Sequence, residues 1–214
     1  MWRKIGIVVA AFGTLLSIGT NARPKRKTAV SLTLSVFDDA ALPPSVLSGA
    51  QARAESVLST AGITLTWLDC STSEHKATDI GCAGMTYPTH LSVRLVKNKR
   101  GPSKTTFGQS FLDGQGAGIY AEVYVTALAC SREMEVVSQG DLLGYVVAHE
   151  LGHLLVGLDS HSPSGVMRAV WQFNDLKQAA RGRLAFTPEQ LERMQSRFLL
   201  ANTQGTATSA RIGR

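Results

Sequence analysis

Residues 149–167 read HELGHLLVGLDSHSPSGVM, and the first five hold two histidines and a glutamate in a spacing suited to metal chemistry. Side chains four apart on a helix lie on one face, so His149 and His153 can turn ring nitrogens to one ion. Glu150 then stands beside the first imidazole. Zinc in such a site brings the pKa of a bound water towards ~7, and a neighbouring carboxylate can take the proton as the water attacks a carbonyl. This chemistry needs two neutral imidazoles, a third ligand, an open coordination position and a base. A buried helix whose histidines only bond to carbonyls would carry the same five letters. The surroundings favour metal. DLLGYVVAHELGHLLVG is apolar around most of its circumference, which places the helix in a core, where polar side chains cost free energy unless paired or metal-bound. Ser138 and Asp141 have capping-box spacing at its start, and a glycine and further potential ligands follow its end.

With HELGH, LLVG, LDSHS and SGVM in view, the segment resembles the metzincin zinc endopeptidases. Their pattern is HExxHxxGxxH followed by a methionine turn. The resemblance implies zinc as cofactor, His149 and His153 as ligands, Glu150 as general base, Gly157 as the turn and Met167 as the methionine beneath the site. The pattern is stretched here. Gly157 comes one residue late and His161 two residues beyond the expected third histidine, while an ungapped count lands on Asp159. That count also puts Val156 where a tight turn wants a residue tolerant of positive φ, which glycine adopts without cost. His161 is therefore the expected third ligand and Asp159 the alternative, with a supporting role for Asp159 if His161 binds. No tyrosine stands just after Met167 to act as a transition-state donor, and no cysteine-switch propeptide lies between Ala22 and Val30.

The elements that must hold this helix are also readable. VSLTLSVF (30–37) alternates apolar and polar residues as a half-buried strand does. A helix follows from Pro43 and Pro44 to a stop at Gly62, then the strand ITLTWL (63–68), giving a unit expected to form a parallel pair. HLSVRLV (90–96) is a third strand, and the segments 105–112 and 118–125 flank DGQGA as a hairpin with one edge strand. Residues 126–140 are partly helical. A last helix starts near Thr187, which can cap reciprocally with Gln190, Phe186 stapling against Leu191. The expected fold is α+β, with an α/β-like N-terminal lobe: a metzincin-like mixed, mostly parallel sheet, a long active-site helix and a small C-terminal helical lobe. The domain is expected over 30–200, divided at Gly157 into lobes 30–157 and 158–200, with 201–214 a disordered tail. His75 falls in a polar loop and His90 at a strand start, where a surface or edge role is expected. Tyr145 is expected in the core, and Trp171 as filler of the C-terminal lobe rather than as pocket lining.

The chain of 214 residues carries net charge +6. Arg3 and Lys4 precede an apolar run, Arg23, Lys25, Arg26 and Lys27 follow it, and outside those six the charges balance. No basic stripe is interleaved with aromatics, so nucleic acid is not an expected partner. Residues 1–22 read as a signal peptide and 23–29 as a basic linker, with export to the periplasm or outside the cell. The heavier positive charge after the apolar run opposes that orientation, leaving an uncleaved N-terminal anchor as the alternative and the only route to a membrane. Three cysteines, Cys70, Cys82 and Cys130, leave at least one unpaired within the chain, and an oxidising compartment favours Cys70–Cys82. The expected activity is hydrolysis of an extended peptide or protein substrate by a monomer. The alternative is a non-catalytic protein of the same fold that binds zinc or peptides, and the intact Glu150 argues against it.

Overall fold

The computed structural model describes residues 30–71, 80–98 and 106–212; the signal-peptide reading, the basic linker and His75 lie outside them. Five strands form one mixed sheet: β1 (Val30–Asp38), β2 (Ile63–Asp69), β3 (His90–Val96), β4 (Gly108–Phe111) and β5 (Tyr120–Tyr124). Their order is β2-β1-β3-β5-β4, and every neighbouring pair is parallel except β4 with β5. Registers align apolar residues across the sheet, Leu34 with Leu91, Val36 with Val93 and Val93 with Ala121. Leu34, Leu91, Val93 and Ala121 are all but inaccessible.

Helix α1 (Pro44–Ser59) connects β1 to β2, with Pro44 at its first turn, where a missing N–H costs nothing. Gly62, at φ 74°, turns the chain into β2. A short helix α2 (Ile80–Ala83) follows, tied to the end of β2 by the Cys70–Cys82 disulfide, while Cys130 is free and exposed. The ambiguous segment 126–140 resolves into α3 (Val125–Ala129) and a 3-10 turn, Arg132–Glu135. Helix α4 (Gln139–Val156) is the long central helix, and Ser138 Oγ caps it by accepting from the N–H of Asp141. Leu142, Leu143, Tyr145, Leu151, Leu154 and Leu155 are buried on different sides of it, as its all-round apolar sequence requires. It packs on α1, on β4 and on β5, so the sheet edge reaches the metal-chemistry motif.

Helix α5 (Phe173–Ala180) and helix α6 (Pro188–Ile212) are the last of the described elements. The reciprocal Thr187–Gln190 cap forms, Phe186 is buried, and Leu191 is partly buried against the same core. Residues 201–212, read from the sequence as a disordered tail, are helical. The capped and packed first turns bear the cost of nucleation, and elongation adds a hydrogen bond for each residue fixed. Among the described residues no helix is long and apolar enough to cross a membrane.

Candidate metal centre

Three imidazoles converge where α4 ends. His149, His153 and His161 each offer a nitrogen atom, and these atoms lie within 4.8 Å of one another. The Nε2 atoms of His149 and His153 are 3.1 Å apart, close to the ~3.3 Å that a tetrahedral zinc with Zn–N bonds of ~2.05 Å would impose. The His161 ring centroid lies 4.7 Å from that of His153 and 5.5 Å from that of His149.

The other ring nitrogens are occupied. His149 Nδ1–H donates to the Val166 carbonyl at 2.7 Å, which leaves a lone pair on Nε2 facing the centre. His153 Nδ1 pairs with Ser160 Oγ at 2.5 Å. Oxygen partners behind the rings are the usual means of fixing tautomer and orientation in metal-binding histidines. Burial pushes the His149 pKa down to about 4, against the pull of the Val166 carbonyl, and that of His153 to about 3, helped by the neighbouring imidazoles. Both rings are thus neutral at pH 7, the form that binds metal. The donor set fits zinc.

Glu150 is 5% exposed and its carboxylate faces the edge strand. Ser110 Oγ on β4 bonds to its Oε2 at 2.6 Å and its backbone carbonyl at 2.9 Å. Gly108, two residues earlier on the same face, has no side chain because a Cβ there would sit 2.4 Å from Glu150 Oε1. Burial pushes the carboxyl pKa up to about 7, opposed by the Ser110 hydrogen bond. A carboxyl poised near neutrality suits proton transfer.

The turn that brings His161 back is the stretched part of the motif. Gly157 has φ 89° and ψ −155°, a conformation reached essentially by glycine alone, and Asp159 takes φ 52°. Asp159 is exposed and stands outside the imidazole cluster; the supporting role foreseen for it falls to buried Ser160. Met167 is fully buried under the helix, against Gly152, where a Cβ would meet its Sδ at 2.2 Å and Phe186 at 2.9 Å. Gly152→Ala should therefore overpack the floor of the site and lower stability by about 1–3 kcal/mol, read by denaturant titration; unchanged stability would refute that packing account.

A cleft of about 510 Å³ opens over these groups, lined also by Phe107, Gln109 and Leu112 around β4 and by Arg168, Val170 and Trp171 after Met167. Trp171 lines this pocket, contrary to its expected place as filler. Its Nε1 donates to the same Val166 carbonyl that holds His149, and its ring meets His149 edge-on at 6.1 Å. Tyr145 is core as expected, its hydroxyl donating to Ala179. His90 is partly buried on the interior strand β3, bonded to Ser35 Oγ, rather than at a surface or sheet edge, and it takes no part in the cluster. Sequence reasoning passed over Ser110, Gly108 and Ser160. Nothing local marks the first two, which lie about forty residues from Glu150 along the chain.

The sheet order and the central helix make a metzincin-like fold, with three imidazoles gathered at the helix end. Among solved structures the chain is similar to archaemetzincin from Methanopyrus kandleri, with TM-score 0.51 and 21% identity over 82% of this chain and 98% of that one. It is also similar to metalloproteinase-II from Bacteroides fragilis, with TM-score 0.51 and 14% identity over 81% of this chain and 55% of that one. At these identities the likeness is one of fold. No family model and no curated sequence matches the chain.

Proposed function

We propose that this chain is a zinc-dependent endopeptidase in which His149, His153 and His161 hold the metal and Glu150 is the general base. The observation that carries the reading is the buried Glu150 carboxylate, fixed by Ser110 beside three converging imidazoles in an open cleft. A purely structural zinc site has no use for that carboxylate, and isolated burial of a carboxyl is costly. Bound zinc supplies Lewis acidity toward a water and a carbonyl oxygen. The chain's own residues do the rest. The Val166 carbonyl keeps His149 in the tautomer that presents Nε2, and Ser160 Oγ holds the orientation of the His153 ring. Ser110 aims the carboxylate, which accepts a proton from the attacking water and can return it to the leaving amine. The outer edge of β4, which has no strand partner among the described residues, suits an extended peptide adding as a further strand.

Export of the protein is part of the proposal. It is supported by the apolar run in residues 1–22 and by the Cys70–Cys82 pair, which suits an oxidising compartment. Metal analysis of the purified chain, alongside cleavage of an unstructured protein with and without chelator, tests the activity. Stoichiometric zinc with chelator-sensitive cleavage is the expected result. Zinc without cleavage would replace the peptidase by a non-catalytic binding protein.

A further inference from the structure

The segment from Val156 to Ser162 must cross from the end of α4 to the third imidazole by a turn longer than the pattern it resembles. Its carbonyls are gripped from outside. Gln190, Arg193 and Arg197 lie three and seven positions apart on α6, hence on one face, and that face meets the turn almost residue by residue. Arg193 Nη2 donates to the carbonyls of Val156 at 3.0 Å and Leu158 at 2.8 Å, and its Nη1 to that of Asp159 at 3.4 Å. Arg197 Nη2 reaches the Val156 carbonyl at 3.2 Å, while its Nη1 donates to the Gly116 carbonyl at 3.1 Å and contacts the Tyr87 hydroxyl. Gln190 Nε2 donates to the Ser160 carbonyl at 3.0 Å and to Ser162 Oγ at 3.0 Å, with its amide orientation set because Oε1 accepts the Thr187 N–H.

Helix ends leave carbonyls unpaired and carry partial negative charge, so two guanidiniums at the end of α4 satisfy both needs. The grip extends past the helix end, however, to the carbonyls of Leu158, Asp159 and Ser160, the residues that lead directly into His161 and carry the Ser160 Oγ that meets His153. We infer that the Gln190–Arg193–Arg197 face of α6 is the device that presents the third imidazole, with Arg193 and Gln190 as positioning residues for His161. The lengthened turn works because its shape is read by α6 rather than by its own length. This rests on the metal-binding reading above.

The test is zinc affinity of the full chain, measured by chelator competition, for wild type, Arg193→Ala, Arg193→Lys, His161→Ala and the Arg193→Ala/His161→Ala double variant. Loss of a group that orients a metal ligand typically weakens binding by about 10–100-fold. Arg193→Ala is expected in that range, Arg193→Lys between it and wild type, and the double variant no weaker than His161→Ala alone. Arg53→Ala is the control. Arg53 bonds Asp141 at the far end of α4, so its loss should lower Tm and leave zinc affinity unchanged. Wild-type affinity in Arg193→Ala, an equal loss in Arg53→Ala, or an undiminished Arg193 effect without His161 would each overturn the inference. A wild type that binds no zinc removes the metal reading and this inference together. A silent Arg193 variant beside a weakened His161 variant removes the inference alone. If Arg193→Ala does not fold, Arg193→Lys decides by the same comparison.

Discussion

Glu150→Ala is expected to keep zinc and fold while lowering peptide hydrolysis at least ~100-fold, the usual yield of a positioned general base. Truncation removes a buried carboxyl whose charged form is disfavoured by desolvation, so the fold loses little by it. Ser110 Oγ keeps the backbone carbonyl of residue 150 as a partner, and no buried hydroxyl is orphaned. The three imidazoles do not bond to the Glu150 side chain, so metal binding should survive. What disappears is, among the described residues, the only carboxylate lining the cleft beside the helical histidines, since Glu133, the other acidic residue in the lining, comes from the 3-10 turn. Turnover within a few-fold of wild type, with zinc retained, would reject Glu150 as base.

The second large effect separates the two candidates for the third ligand. His161→Ala removes one of three protein donors. If the donors share the ~10–16 kcal/mol typical of structural zinc, affinity should fall by roughly 3 kcal/mol or more, upwards of ~100-fold, with activity lost in parallel. Asp159→Ala touches an exposed side chain outside the cluster. Its cost is conformational, because alanine tolerates the left-handed region less well than aspartate, by on the order of 1 kcal/mol. Zinc affinity should then change by less than ~10-fold, within the spread of indirect effects on a metal site. Isothermal titration of both variants gives the comparison, and the reverse ranking would restore the ungapped alignment and Asp159.

The elements nearest the motif were legible because their signals are local. Apolar periodicity exposed α4, Ser138 marked its cap, and Gly157 announced a turn that only glycine makes without strain. The choice of His161 followed from that turn, and the structure brings His161 to the other two imidazoles while leaving Asp159 outside. Strand alternation likewise exposed β1, β2 and β3 and the β4–β5 hairpin. The surroundings of the site were not legible, because they are tertiary. Ser110 meets Glu150 across a separation of 40 residues, and Arg193 meets Val156 across 37. Trp171 was misplaced for the same reason: it lies in the loop before α5, while its neighbours Tyr145 and His149 stand on α4. The final helix outran its apolar stripe, which ends near Leu199, because a stripe records packing and not the length a capped helix can reach.

The edge strand and the turn after α4 differ in how they can tolerate gain or loss of single residues over evolutionary time. Alternate residues of β4 face opposite sides, so Gly108 and Ser110 meet Glu150 while Gln109 and Phe111 are exposed. One inserted residue within this strand would carry Gln109 into the space that only a glycine fits, and one deletion would do the same. The turn after α4 has no such parity. It is held largely by its carbonyls, which every residue supplies, so the exposed Leu158 and Asp159 can be exchanged or added to without a change of face, while Gly157, Ser160 and His161 stay fixed by the turn and the imidazole cluster. Among related chains, β4 should therefore keep a constant frame, and variation in motif length should collect between Gly157 and His161.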